Sequence, residues 1–283
     1  QAEDGIRDVE RSRGLGDVYK RQKEKIIYVE ELWTMPDLSA FGPYIESFSL
    51  GLELCNSGFM QFGRSNSGYR ELPMKVVDVG WGLERLVWFS NGTPTSYDVI
   101  FGPVVKKIVE KVNVEYDKEL FLKYAKIAGC LDVNEVKDIR IVREKVARKI
   151  GLSVEEIEKK IAPLEAVYAI ADHTRALVFA IADGALPSNV GGGYNLRVIL
   201  RRALSFIEKF KWNIKLKEVA LWHINYLKKI FPELKEAEEN IEKILDVEEE
   251  RYRKTKERSK KLIVEFKERK LSEEELLLSL IHI

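Results

Sequence analysis

The sequence predicts an α+β protein: a partial antiparallel sheet over about residues 25–105, followed by an all-helical segment to about residue 277. Three observations carry this. Up to Ile100, short runs rich in β-branched and aromatic residues alternate with glycine and proline breaks, as strands and turns do. From Phe101 onward apolar residues recur at helical spacing. The run from Phe231 to Lys270 is densely charged with alternating signs, which suits a solvated helix that packs one apolar edge.

In chain order, "KIIYVEELW" from Lys25 is β-rich, and "PYIESFSLGLELCNSGFMQF" from Pro43 reads as extended segments broken by glycine. "ELPMKVVDVG" is a strand ending at Gly80, and "LERLVWFS" from Leu83 is a short helix. "VVKKIVEKV", "LFLKYAKIAG" and "VYAIADHTRALVFAIADG" follow at helical period. "NVEYDKEL" and "GLSVEEIEKK" carry helix-start signals, with Ser153 as N-cap ahead of glutamates. Pro232 occupies a first-turn position. The boundary near Gly102 is a shift of composition rather than a linker.

Composition narrows the class. With 283 residues, a net charge of +1 and no apolar run of membrane-spanning length, the chain reads as soluble, without a membrane role. Two cysteines, Cys55 and Cys130, make no disulfide scaffold, so a reducing cytoplasm is the default. Those cysteines and the three histidines show no zinc spacing. His173, inside the apolar pattern "ADHTRA", reads as a packed, hydrogen-bonded residue rather than a catalyst.

The two ends read as non-native. "DVYKRQ" (Asp17 to Gln22) can be encoded by GATGTGTATAAGAGACAG, whose reverse complement encodes "LSLIHI", the last six residues. Such inverted words resemble translated transposon-type sequencing adapters. Residues 1–22 and 278–283 are therefore set apart from 23–105 and 106–277.

Two stretches carry candidate chemistry. In "VVDVGWGLERLVWF", Asp78 ends a strand, Gly80 and Gly82 lie in the turn, and Arg85 opens a helix. Glycines permit close backbone approach, and a helix start with an arginine fork favours phosphate. A tight structural turn has the same spelling. In "PSNVGGGYNLRVILRRAL" three glycines run into a helix. The Lys-Ser/Thr of a phosphate-binding P-loop is absent, so that reading fails. What remains is a turn presenting Asn189, then Arg197 and Arg201 on one helix face with Arg202 beside them. A solvated amphipathic helix fits that pattern as well as a nucleic-acid face does.

Taken together, these blocks resemble the alanyl-tRNA synthetases, class II enzymes, and are closest to the archaeal type. The resemblance rests on "LELCNSGFMQF", "ELPMKVVDVGWGLERL" and "NGTPTSYDVIF" in order, on Trp33, Met35, Gly42, Pro43 and Glu46 upstream, and on "VYAIADHTRALVFAIADGALPSNVGGGYNLRVILRRAL". It implies the end of a class II catalytic sheet joined to a helical tRNA-recognition domain. Arg85 would bind ATP phosphate, Asp78 the alanine ammonium, and Trp33 and Asn56 the amino-acid pocket. Glu53 would sit in the Mg²⁺–ATP shell, with Gly80 and Gly82 beside the ligand. Asn189 would read the G·U wobble pair of the tRNA-Ala acceptor stem, and Arg197, Arg201 and Arg202 would hold phosphates.

The chain departs from the family at Gly58, where a branched aliphatic residue is usual, which implies a larger pocket. "PDLSAF" also replaces the usual glycine-rich approach to Gly42. The blocks carrying the family's dimer interface and second ATP arginine would precede Lys23, and an aspartate partner of Asn189 would follow "LSEEELL". Hence this chain by itself is not expected to activate an amino acid, while oligomerisation of a longer parent stays compatible. The implied function is a part of an alanine–tRNA ligase using ATP, Mg²⁺, alanine and tRNA-Ala. The alternative is a non-catalytic RNA-binding helical module.

Overall fold

The structure is a computed structural model, described over residues 31–115, 117–128 and 139–269. The expectations for residues 1–30 and 270–283, for Cys130 and for His282 fall outside those residues. The chain divides into two compact units, Gln1–Ile100 and Phe101–Ile283.

The first unit is a four-stranded antiparallel meander in the order β1 (Glu31–Thr34), β2 (Phe41–Ser49), β3 (Leu52–Ser65) and β4 (Gly68–Trp81). Two-residue turns join the long hairpins. Leu50 and Gly51 both take positive φ between β2 and β3, as a tight hairpin turn requires. Helix α1 (Leu83–Asn91) follows β4, and the short α2 (Tyr97–Ile100) comes after it. Helix α1 ends on Gly92 in the left-handed conformation, and Trp88 Nε1 donates to Thr93 O at 2.7 Å. β4 is an edge strand with no outer partner among the described residues, and Val77, Val79 and Trp81 stand exposed along it. An open apolar edge of this kind is an aggregation hazard.

The second unit is helical throughout its described residues. It comprises α3 (Pro103–Val112), α4 (Lys118–Ala128), α5 (Ile139–Ile150), α6 (Val154–Lys160), α7 (Ala162–Ala182), α8 (Gly191–Lys209), α9 (Leu216–Leu227), α10 (Glu233–Glu236) and α11 (Glu238–Arg269). At its centre lies α7, packed by α3, α6, α8, α9, α10 and α11. The cause is local sequence: Val167, Ile170, Ala171, Leu177, Val178 and Ile181 are fully or almost fully buried, so the helix is apolar on nearly every side. Each large aliphatic residue placed there contributes roughly 1.5–3 kcal/mol.

Starts and stops follow the expected signals. Ser153 and Glu156 form a reciprocal capping box on α6, with N–O distances of 3.1 and 2.8 Å. Asp117 Oδ1 accepts from Leu120 N at 3.0 Å at the start of α4. Pro232 does sit at a helix start, but the helix it opens is the short α10, and α11 begins afresh at Glu238. His173 is packed, with Nδ1 3.0 Å from Asp172 Oδ2.

Candidate functional site

In the first unit, strand register decides which side chains meet. Asn56 pairs with Gly80 and with Glu46, and Gly58 pairs with Asp78 and with Tyr44. Cross-strand partners share a face, so Glu46, Asn56 and Asp78 project on the same side of the sheet. Glu53 is three residues from Asn56, which on a regular strand would place it on the opposite face. Ser47 pairs with Cys55 but Phe48 with Glu53, leaving Leu54 as an extra residue on β3. That bulge turns Glu53 back toward Asn56, whose Nδ2 donates to Glu53 Oε1 at 3.2 Å. Opposite Asn56, Gly80 leaves the needed room, since a Cβ there would lie 3.0 Å from Asn56 Oδ1.

Arg85 enters from the first turn of α1. Its Nη1 donates to Glu53 Oε2 at 2.5 Å and to Glu53 O at 3.3 Å. The backbone ahead of the helix is pinned by Gly82 N donating to Leu54 O at 3.0 Å. Among the described residues no other nitrogen of this guanidinium has a partner, so its remaining N–H groups are available to an anion. Trp33, Glu46, Glu53, Asn56, Gly80, Gly82 and Arg85 line one open recess of about 600 Å³. Asp78 and Gly58 lie one rung further along the same face, outside that lining. At Gly58 a Cβ would lie 3.3 Å from Met60 Cε and 3.6 Å from Trp33 Cγ, so the glycine is closely bounded by these two side chains.

Sequence reasoning had Glu46 only as part of a block, and it did not single out Tyr44; both line the recess. Their even spacing on β2 was the available signal. Among the described residues no group of three or more potential metal ligands is found. Glu53 and Glu46 fit a magnesium ion only if a ligand's phosphates complete the shell, the usual arrangement for that ion.

In the second unit, the three glycines have separate jobs. Gly191 takes φ +58, which opens α8 from the turn. Gly193 lies tight under the preceding loop: a Cβ there would come 2.4 Å from both Leu186 O and Ser188 Oγ. Ser188 N donates to Gly193 O at 2.9 Å, and Ser188 Oγ donates to Val190 O at 2.8 Å. Gly192 meets nothing within 4 Å. The turn thus holds Asn189 at the surface.

Arg197 differs from expectation. It does not stand free beside Arg201 as a phosphate contact; its guanidinium is taken up inside the unit. Nε and Nη2 each donate to the Glu248 carboxylate at 2.9 Å, Nη2 also donates to Pro187 O at 2.9 Å, and Nη1 to Asn189 Oδ1 at 2.5 Å. The physical reason is burial, because a guanidinium 12% exposed needs a partner, and the carboxylate of Glu248, 4% exposed, faces it. Arg251 adds a second cation at 2.6 Å. Burial pushes the Glu248 carboxyl up, but hydrogen bonds and charge from Arg197 and Arg251 outweigh it and hold the group below the usual range. Arg201 and Arg202 have no ion pair among the described residues, and Arg202 is exposed. Asn189 Oδ1 keeps a second lone pair after accepting from Arg197.

A bulged antiparallel sheet that gathers a tryptophan, an amide and a carboxylate–arginine pair around one recess, together with a helical unit, makes this an α+β protein with an open polar recess on its sheet. The chain belongs to the class II tRNA synthetases: the family described as "tRNA synthetases class II (A)" matches residues 15–280. Its similarity is to a stretch of the alanyl members. It is 40% identical over 240 residues to an alanine–tRNA ligase of Methanosphaera stadtmanae, covering 85% of this chain and 26% of that protein. To the alanine–tRNA ligase of Nitrosopumilus maritimus it is 39% identical over 258 residues (91% of this chain, 29% of the relative). For that of Pyrococcus abyssi the figures are 40% over 258 residues, 86% and 28%. The chain therefore spans little more than a quarter of the length of these relatives.

Proposed function

We propose that the chain carries the adenylate-site end of an alanine–tRNA ligase together with its acceptor-stem reader. The observation that carries the proposal is the single recess shared by Trp33, Glu53, Asn56 and Arg85, in a chain similar to alanine–tRNA ligases. Adenylation joins a carboxylate to the α-phosphorus of ATP and expels pyrophosphate, so charge neutralisation and positioning do most of the work. Arg85 holds phosphate oxygens with the donors that Glu53 leaves unused, Asp78 receives the alanine ammonium, and Trp33 walls the side-chain space beside Gly58. Glu46 and Glu53 set two negative charges against one arginine in the recess. A free triphosphate is repelled there more strongly than its magnesium complex, in which the cation cancels about two of the negative charges, and this favours Mg²⁺–ATP as the bound form.

In the helical unit, Asn189 reads the wobble pair from the wide minor groove of the acceptor stem, using the open lone pair of Oδ1 toward the guanine 2-amino group. Arg201 and Arg202 supply phosphate affinity without sequence information. The adenylate half is tested by calorimetry with a non-hydrolysable alanyl-sulfamoyl adenosine. Micromolar binding that falls at least tenfold in Arg85→Ala is expected. Equal affinity in the two proteins removes Arg85 from the site.

A further inference from the structure

We propose that Glu248 is a positioning residue for Asn189, acting through Arg197; the proposal rests on the reading of Asn189 as the base-contacting amide. Glu248 lies on α11, whose charged sequence is that of a solvated helix, yet its side chain is 4% exposed. It falls on the inward stripe formed with Ile241 and Leu245, both buried. Its carboxylate grips Nε and Nη2 of Arg197 in a fork, both at 2.9 Å. That fixes the guanidinium plane. From the same plane Nη2 holds the backbone of the loop at Pro187 O, and Nη1 holds Asn189 Oδ1. The chain of contacts runs from α11 through α8 to one exposed amide.

The geometry explains why an arginine and a carboxylate are needed. Arg197 uses its planar donors in three directions at once, toward α11, the loop backbone and the Asn189 side chain. A lysine has the charge without the fork. An asparagine in an exposed turn otherwise samples several rotamers, and a ligand that needs one of them loses affinity by the cost of freezing it. With Oδ1 held, that ordering is complete before the RNA arrives. Glu248 touches no RNA in this account, and its substitution acts on base discrimination rather than on the phosphate contacts of Arg201 and Arg202.

The test uses the full chain and two variants, Glu248→Gln and Arg197→Lys, each checked for an unchanged helical circular dichroism spectrum. The first readout is the side-chain amide of Asn189 by ¹⁵N NMR, assigned by its loss in Asn189→Ala. A rigid, shifted amide pair in the parent that becomes mobile in Glu248→Gln is expected. The second readout is the preference for an acceptor-stem minihelix carrying G·U over one carrying G·C. That preference should fall roughly 3- to 10-fold in Glu248→Gln, with no further loss when the change is added to Asn189→Ala. An amide equally rigid in Glu248→Gln overturns the proposal, even if Asn189→Ala abolishes the preference. An amide set free by Glu248→Gln, with a preference indifferent to Asn189→Ala, upholds the positioning and overturns the base reading instead. If Glu248→Gln does not fold, Arg197→Lys gives the same two readouts.

Discussion

Adjacent glycines in the first turn of α8 should respond to alanine with opposite signs. In Gly193→Ala the new methyl starts 2.4 Å from Leu186 O and 2.4 Å from Ser188 Oγ. Relief to ordinary contact requires the loop to retreat by about 1 Å or more, and strain of this kind costs roughly 1–3 kcal/mol. The hydrogen bond from Ser188 N to Gly193 O is stretched in the same movement. At Gly192 a methyl meets nothing within 4 Å. There alanine limits the unfolded chain and favours the helix, a gain of about 0.5–1 kcal/mol. Thermal unfolding followed by circular dichroism at 222 nm should show Gly193→Ala lowered by on the order of 2–12 °C and Gly192→Ala raised by about 1–4 °C. Equal shifts, or a destabilised Gly192→Ala, would refute the close-packed loop and leave the glycines as a plain flexible turn.

Two more outcomes follow from the geometry. His223 is fully buried, with Nε2 2.9 Å from Ala171 O, and burial holds its pKa down to about 4. A depressed histidine means that the unfolded chain binds the proton first. Its contribution is fully present above about pH 6.5 and is lost as pH falls toward about 4, to a limit of about 3 kcal/mol. The urea midpoint should therefore drop between pH 6.5 and 5, above the usual range of the carboxylates, and His223→Gln should flatten that slope; an unaltered slope would assign it elsewhere. Gly58→Val should press against Met60 and Trp33, whose nearest atoms lie 3.3 and 3.6 Å from a Cβ there, and narrow the site. The preference for an alanyl over a 2-aminobutyryl adenylate analogue should rise by roughly tenfold, since a methyl-sized difference is worth ~1–3 kcal/mol. Unchanged selectivity would place the substrate side chain away from Gly58.

Much of the fold was legible because local chemistry repeats it. The onset of helical spacing at Phe101 falls where the second unit begins. Ser153 and Pro232 mark helix starts with groups whose backbone preferences are strong. The two sites were less legible, and for specific reasons. That Glu53 shares a face with Asn56 depends on one extra residue at Leu54, which is defined only against the neighbouring strand. Plain alternation would have placed it on the other side. Arg197 and Arg201 are equivalent by helical spacing, and only the arrival of α11 takes one inward. A signal did exist in α11: Glu248 continues the apolar series Ile241 and Leu245, and a carboxylate on such a stripe demands a buried cation. Near-uniform charge along the helix concealed it.

The central claim is that this chain reads an acceptor stem through Asn189. The most direct measurement is the affinity of the whole chain for three minihelices across a salt series, carrying G·U, inosine·U or G·C at the wobble position. Affinity should fall with salt for all three. It should be strongest for G·U and weaker by about 1–3 kcal/mol for inosine·U, which lacks only the guanine 2-amino group, and Asn189→Ala should erase that difference. Equal affinity for G·U and inosine·U, in a folded chain whose binding responds to salt, would contradict the claim and leave the helical unit a phosphate-binding surface alone.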